Sequence, residues 1–262
     1  MKNKIKILVL AVTSIVISCN NPKVNEGEKE LSEIILKENN GEDNTCLMAY
    51  ADKYDELFTL DDAVKITGFT KADVETEYSK IMKNNTYHDI SYKWESTRIK
   101  MVKVANMEVK VPMKNLIEVS GIEAKTAEAF KRDFSLKTDA EITEMNKNMN
   151  KAVDDAYEGK SESETANKAM AKVKEMGQIK EDVKAITGNM QDNAFSKVLK
   201  AYQPVENLAD AASWNTFEQR LYVLKNGVKF QVTADLSDDT NFNKGKAIEA
   251  AKLILAKCQQ SK

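Results

Sequence analysis

The side chains able to do covalent or acid–base chemistry are few and far apart: one histidine, His88, and three cysteines, Cys19, Cys46 and Cys258, in 262 residues. A hydrolytic site needs a base held against a nucleophile, and no Gly-x-Ser-x-Gly or Cys-His arrangement accompanies His88. That histidine is expected as a solvent-facing residue at a strand entry, and its isolation also excludes a zinc cluster. Nine glycines with no Gly-x-Gly leave no phosphate-cradling loop. Asp61-Asp62 and Asp154-Asp155 are adjacent on helices and do not face each other, so neither is an acid–base pair. The crowded run Asp235, Ser237, Asp238, Asp239, Asn241 and Asn243 offers oxygens for calcium, or equally a loop that ends in a helix cap. Counted as an EF-hand from Asp235 it has Thr240 and Lys246 where Gly and Glu belong, which favours the loop. The expectation is a non-enzymatic chain with no cofactor and no metal.

Six aromatic residues in strand-like segments, Tyr92, Trp94, Trp214, Phe217, Tyr222 and Phe230, are the one group worth a ligand hypothesis. They either line a pocket for a small apolar compound or form the core of a sheet. The core is the expectation, because aromatics dominate burial in a domain of this size.

Residues 1–18 begin with Met1-Lys2-Asn3-Lys4-Ile5-Lys6 and continue through an apolar run from Ile7 to Ile17, the layout of a signal peptide. The run is shorter than the roughly 20 residues of a membrane-spanning helix. Val16-Ile17-Ser18-Cys19 resembles the lipobox of bacterial lipoproteins. That resemblance implies cleavage before Cys19, acylation of its thiol with palmitate or a similar chain, and a lipid-anchored place in the cell envelope. Asn20 stands where an Asp would retain the protein at the inner membrane, so the outer membrane is the expected destination. Without residues 1–18 the chain has 36 basic and 41 acidic side chains, a net charge of −5. Nucleic acid is therefore no partner, since phosphate binding rests on clustered cations.

Residues 19–45 are polar and read as a flexible, lipidated tether. A single globular α+β domain is expected over 46–258, an antiparallel sheet packed with helices and divided by a helical middle segment. Thr59-Leu60-Asp61-Asp62 and Thr70-Lys71-Ala72-Asp73 each look like a helix start, which predicts helices over 59–84 with Val74, Tyr78, Ile81 and Met82 on one face. Alternation of Ile90, Tyr92 and Trp94, then of Ile99, Met101, Val109, Val111, Ile117 and Val119, predicts strands over 88–122. Capping boxes at Thr138–Glu141 and Ser161–Glu164 and a run of methionines predict core-packed helices over 126–202. Asn226-Gly227 between apolar runs predicts a hairpin over 213–235, and Asn243 opens a closing helix over 243–257.

The stretch from Tyr202-Gln203-Pro204-Val205 through Asp210-Ala211-Ala212-Ser213-Trp214, with the hairpin and the helix ending at Cys258, resembles exported bacterial proteins that have a PsbP-like α/β layout. Asn207 and Ala209 stand where those proteins have glycine. The resemblance implies the fold class and no catalytic residue. It also hints at two related halves, each with helices followed by a Trp-bearing strand, which no fixed repeat of identities supports.

Acylation of Cys19 leaves two cysteines in an oxidising compartment, and two cysteines allow one bridge. A Cys46–Cys258 disulfide is expected, with Cα atoms within about 7 Å; the alternative is two free thiols. The expected function is binding of an envelope partner protein or a structural task, with carriage of a small apolar ligand by the aromatic group as the alternative.

Overall fold

The computed structural model describes residues 45–80, 85–104, 107–190 and 195–259. The signal peptide, Cys19 and the tether before residue 45 lie outside the described residues, as do Ile81 and Met82 of the expected second helix. Contacts divide the chain into two compact units, one holding Leu136–Lys200 and the other holding Ser32–Ser135 with Ala201–Lys262.

The larger unit is an α+β structure. Its described residues begin with three short helices, α1 (Thr45–Ala49), α2 (Tyr54–Leu57) and α3 (Leu60–Thr67). Thr59 and Asp62 form the expected capping box on α3, and Gly68 ends it with a left-handed φ of 75°. Strands β1 (Val74–Ser79), β2 (Asp89–Trp94), β5 (Asn115–Ala124), β6 (Tyr202–Pro204), β7 (Ala211–Asn215), β8 (Arg220–Lys225) and β9 (Val228–Asp235) make a seven-stranded antiparallel sheet in the order β1-β2-β5-β9-β8-β7-β6. Strands β3 (Ile99–Val104) and β4 (Met107–Pro112) pair only with each other among the described residues. Helix α4 (Ala127–Asp133) follows β5, and α9 (Thr240–Gln259) closes the unit.

Residues 74–79 are a strand and not the expected second helix. Val74 and Tyr78 are four apart, a spacing that fits one helical face and equally one strand face. The tie is broken by pairing, because Val74, Thr76 and Tyr78 lie opposite Trp94, Tyr92 and Ile90. Tyr202 likewise begins an edge strand, where a helix was expected to reach it. The hairpin at Asn226-Gly227 forms as expected, with φ of 50° and 73°, the primed geometry that matches strand twist. Asn207 adopts φ 59°, a left-handed backbone that Asn tolerates.

One face of the sheet carries the core. Ile90, Tyr92, Trp94, Ile117, Val119, Ile122, Trp214, Leu221, Val223, Phe230 and Val232 pack with Tyr54, Leu57, Phe58, Ala247, Ala251 and Ile254. Helix α9 lies across β8 and β9 and against α3. Its start at Thr240 places Asn243 inside the helix, buried, with its amide bonded to Gln219 Oε1 and the Ser237 carbonyl (both 2.8 Å) and its oxygen accepting from Leu236 N (3.1 Å). A bulge at Gly121, φ 66°, shifts the β5–β9 register between Ser120 and Glu123. That left-handed φ favours glycine, and a Cβ there would also displace the flexible end of the Gln231 side chain, 2.9 Å away.

The smaller unit is helical: α5 (Asp139–Tyr157), α6 (Glu164–Glu175), α7 (Lys180–Met190) and α8 (Ser196–Leu199). Thr138 and Glu141 form the expected capping box, whereas α6 is capped by Ser163 and not by Ser161. Its own core is Val153, Ala156, Ala166, Met170, Val173 and Val183. Met170 sits in that core and Met176 packs against it, the gap-filling role expected of the methionines. Lys180 bridges Asp154 (3.1 Å) and Glu158 (2.8 Å), so α5 and α7 are also tied by charge.

Cys46 and Cys258 are bonded, with Cα atoms 5.6 Å apart across a separation of 212 residues. The bridge joins α1 to the last turn of α9. Replacing both cysteines by Ala is expected to lower the unfolding free energy by up to about 5 kcal/mol through the released loop. Urea titration of the oxidised protein and of the double variant measures the difference, and a loss below about 1 kcal/mol would contradict the bridge's role.

Candidate functional site

Strand alternation that sends one set of residues to the core sends the other set to the opposite face, and here that set is polar. The register lines it up in rungs. One runs Glu77, Ser91, Glu118, Thr233, Arg220, Asn215 and Tyr202, one residue from each strand in spatial order. The next runs Ser79, Asp89, Ser120, Gln231, Tyr222, Ser213 and Pro204. Ser91, Ser120, Ser213, Asn215 and Thr233 are buried, so these groups must find partners within the face.

They do. Glu118 Oε1 accepts from Ser120 Oγ (3.0 Å) and Thr233 Oγ1 (3.4 Å) and lies 3.6 Å from Arg220 Nη2. Arg220 Nε donates to Thr233 Oγ1 at 2.9 Å, and Gln231 Nε2 donates to Ser120 Oγ at 3.0 Å. Tyr222 donates to Glu218 Oε2 at 2.6 Å and stacks on Phe134 with centroids 4.2 Å apart. Beyond the bulge, buried Lys229 pairs with Glu123 at 2.9 Å.

The charges of this face are strongly perturbed. Asp89 is pushed up to about 6, first by burial and then by the charges of Glu118 and Glu77. Burial lowers Lys229, with Glu123 opposing, and raises Tyr222, with Glu218 adding to the effect. Burial also works against Arg220, but Tyr222, Glu118 and Glu218 overcome it and hold the guanidinium above its ordinary value. Perturbed groups collected on one surface mark a candidate functional site. Their chemistry is hydrogen-bond and ion-pair recognition.

The aromatic group does not assemble as one pocket lining. Tyr92, Trp94, Trp214 and Phe230 lie on the core face and are buried, with Tyr92 OH bonded to the Phe58 carbonyl (2.8 Å) and Trp94 Nε1 to the Thr70 carbonyl (2.9 Å). Tyr222 is on the opposite face, and Phe217 is 55% exposed in the β7–β8 turn. His88 is buried and not in solvent as expected, with Nδ1 3.5 Å from Asp52 Oδ1. In the acidic run, Asp235 Oδ1 takes Arg98 Nη1 at 2.6 Å and the Asn243 oxygen takes a backbone N–H, so those oxygens serve the loop. No group of His, Cys, Asp or Glu among the described residues can hold a metal ion. Sequence reasoning missed the polar rungs, because their members read singly as the solvent side of each strand.

Comparison with protein families, curated proteins and solved structures finds no match to the chain.

Asp89 gives this face a pH dependence with a defined sign. Its folded value of about 6 lies above the unfolded one of about 3.9, so between those values the folded state binds more protons than the unfolded state. The contribution of Asp89 to stability is fully present below the window and lost as pH rises through it. Asp89→Asn should therefore raise the melting temperature above pH 6 and flatten its fall between pH 4 and 6. An unchanged pH profile in that variant would refute the assignment.

Proposed function

We propose that the chain is a non-enzymatic envelope lipoprotein, anchored through Cys19 at the outer membrane, whose larger unit binds a partner protein through the polar face of its sheet. The observation that carries the binding role is the pair of polar rungs spanning all seven strands, with Glu118 and Arg220 only partly covered. Such a surface recognises by directional hydrogen bonds and complementary charge, which favours a specific protein partner. The burial of Tyr92, Trp94, Trp214 and Phe230 in the core removes support for the aromatic-lined carrier. The Cys46–Cys258 bridge supports an oxidising compartment. No helix among the described residues is long and apolar enough to cross a membrane.

Two measurements test this reading. Cys19→Ala should abolish incorporation of labelled palmitate and release the protein from the membrane fraction; label retained in the variant would sink the anchor. A photo-reactive residue at exposed Glu77 or at Lys93, both on the polar face, should give a discrete adduct with an envelope protein in the host, and one at Glu249 on α9 should not. Equal labelling from all three positions would reject the polar face as the binding surface.

A further inference from the structure

Among the described residues of the larger unit, the β3–β4 hairpin gathers four exposed aliphatic side chains on one strand pair. Its register places Ile99, Met101 and Pro112 on one face and Val109 and Val111 on the other. Ile99 is 59% exposed, Met101 50%, Val109 41% and Val111 36%. A surface hairpin of a globular protein ordinarily buries one face. This one carries exposed aliphatic residues on both.

Each face also carries an exposed lysine, Lys110 beside Met101 and Lys100 beside Val111. Exposed Lys100 and Lys110 outnumber the single exposed acid Glu108 on these strands, in a chain whose net charge is −2. The arm is thus locally cationic on an acidic protein. Its root is fixed to the main sheet: Arg98 donates to Asp235 Oδ1 (2.6 Å), the Asp235 carbonyl (2.7 Å), the Lys114 carbonyl (2.9 Å) and Asn115 Oδ1 (3.0 Å). Met113 N closes the hairpin base onto the Arg98 carbonyl at 3.0 Å.

We infer that the β3–β4 hairpin is a docking arm that enters the headgroup layer of an anionic lipid surface. A protein groove covers one face of a strand pair and would leave the other aliphatic set wet, whereas immersion covers both. A second copy of the hairpin brings lysine against lysine. Anionic headgroups complement Lys100 and Lys110, whose stems lie along the aliphatic residues while their ammonium groups reach phosphate. Among the described residues the outer edges of β3 and β4 pair with no strand, which bars the arm from the hydrocarbon core and holds it at the hydrated boundary. This contact adds to the Cys19 anchor and does not depend on it.

The test uses the chain from Asn20 to Lys262, which keeps every described element and the Cys46–Cys258 bridge but carries no lipid. It should sediment with vesicles of phosphatidylglycerol and phosphatidylethanolamine, and hardly with phosphatidylcholine alone. Lys100→Gln with Lys110→Gln should weaken that binding about 30-fold, taking each lysine's share from the usual gain near an anionic surface. Met101→Glu with Val109→Glu should abolish it, with near-ultraviolet circular dichroism unchanged in both variants. No sedimentation of the parent chain with either vesicle, equal binding by the lysine variant, or self-association through the arm in its place would overturn the inference. Because Cys19 is absent from this chain, that result leaves the anchor to be judged by palmitate labelling alone.

Discussion

The pairing of β5 with β9 holds the centre of the sheet, and the rest of the larger unit depends on it. These strands lie on either side of the helical unit in the chain, with Leu116 opposite Asp235 and Ala124 opposite Val228. Loop-closure entropy grows only with the logarithm of length, so the helical insertion adds little to the cost of bringing them together. What the pairing must secure is register, since a slip of one residue would turn Ile117, Val119, Val232 and Phe230 out of the core. The bulge at Gly121 refines it. After Ile117 and Val119 simple alternation would return residue 121 to the core, but the extra residue sends Ile122 there, where its N–H donates to Tyr54 OH at 2.8 Å.

The same register creates the polar face. Once the apolar residues of five neighbouring strands are committed to the helices, Glu118, Ser120, Arg220, Gln231 and Thr233 are brought side by side, and their partial burial is tolerable only because each finds a partner. Glu118 satisfies three groups with one oxygen. Asp89 sets the electrostatics of the face: burial and the charges of Glu118 and Glu77 outweigh the opposing Lys93 charge and the Ser79 hydrogen bond, and hold its proton into the mildly acidic range. Lys93 is itself shared with Glu77 at 2.5 Å.

Most of the α+β architecture was legible in the sequence because its signals were local. The Thr59 and Thr138 caps, the Asn226-Gly227 turn and the alternation in β2, β5 and β9 are each decided within a few residues. Residues 74–79 were not, because a four-residue repeat serves helix and strand alike and only the distant partner β2 chooses between them. His88 is buried rather than solvent-facing for a related reason: its Asp52 neighbour, 3.5 Å away, stands 36 residues earlier in the chain, beyond any local pattern. The Cys46–Cys258 bridge was legible by counting, whereas the polar rungs needed the order of the strands. Ser91 and Arg220 are separated by more of the chain than any periodicity can span, and nothing in either strand alone says that Glu118 and Thr233 lie between them.

Strand edges separate the main sheet from the hairpin in how each can be used. At one end β1 carries Glu75 and Glu77 on its exposed side, and at the other β6 is only three residues long and ends in Pro204, which has no N–H to offer. Charge, shortness and proline are the usual means of keeping an edge from pairing with another chain, and both edges of the main sheet carry them. Among the described residues β3 and β4, six residues each, pair with no other strand and carry the charges of Lys100, Lys110 and Glu108. A two-stranded ribbon is marginal by itself in water, and this one is held at its root by the Arg98–Asp235 contacts. Stability and contact are therefore divided within the larger unit: the sheet, α9 and the disulfide carry the fold, and the ribbon projects exposed aliphatic and cationic side chains that the fold itself does not use.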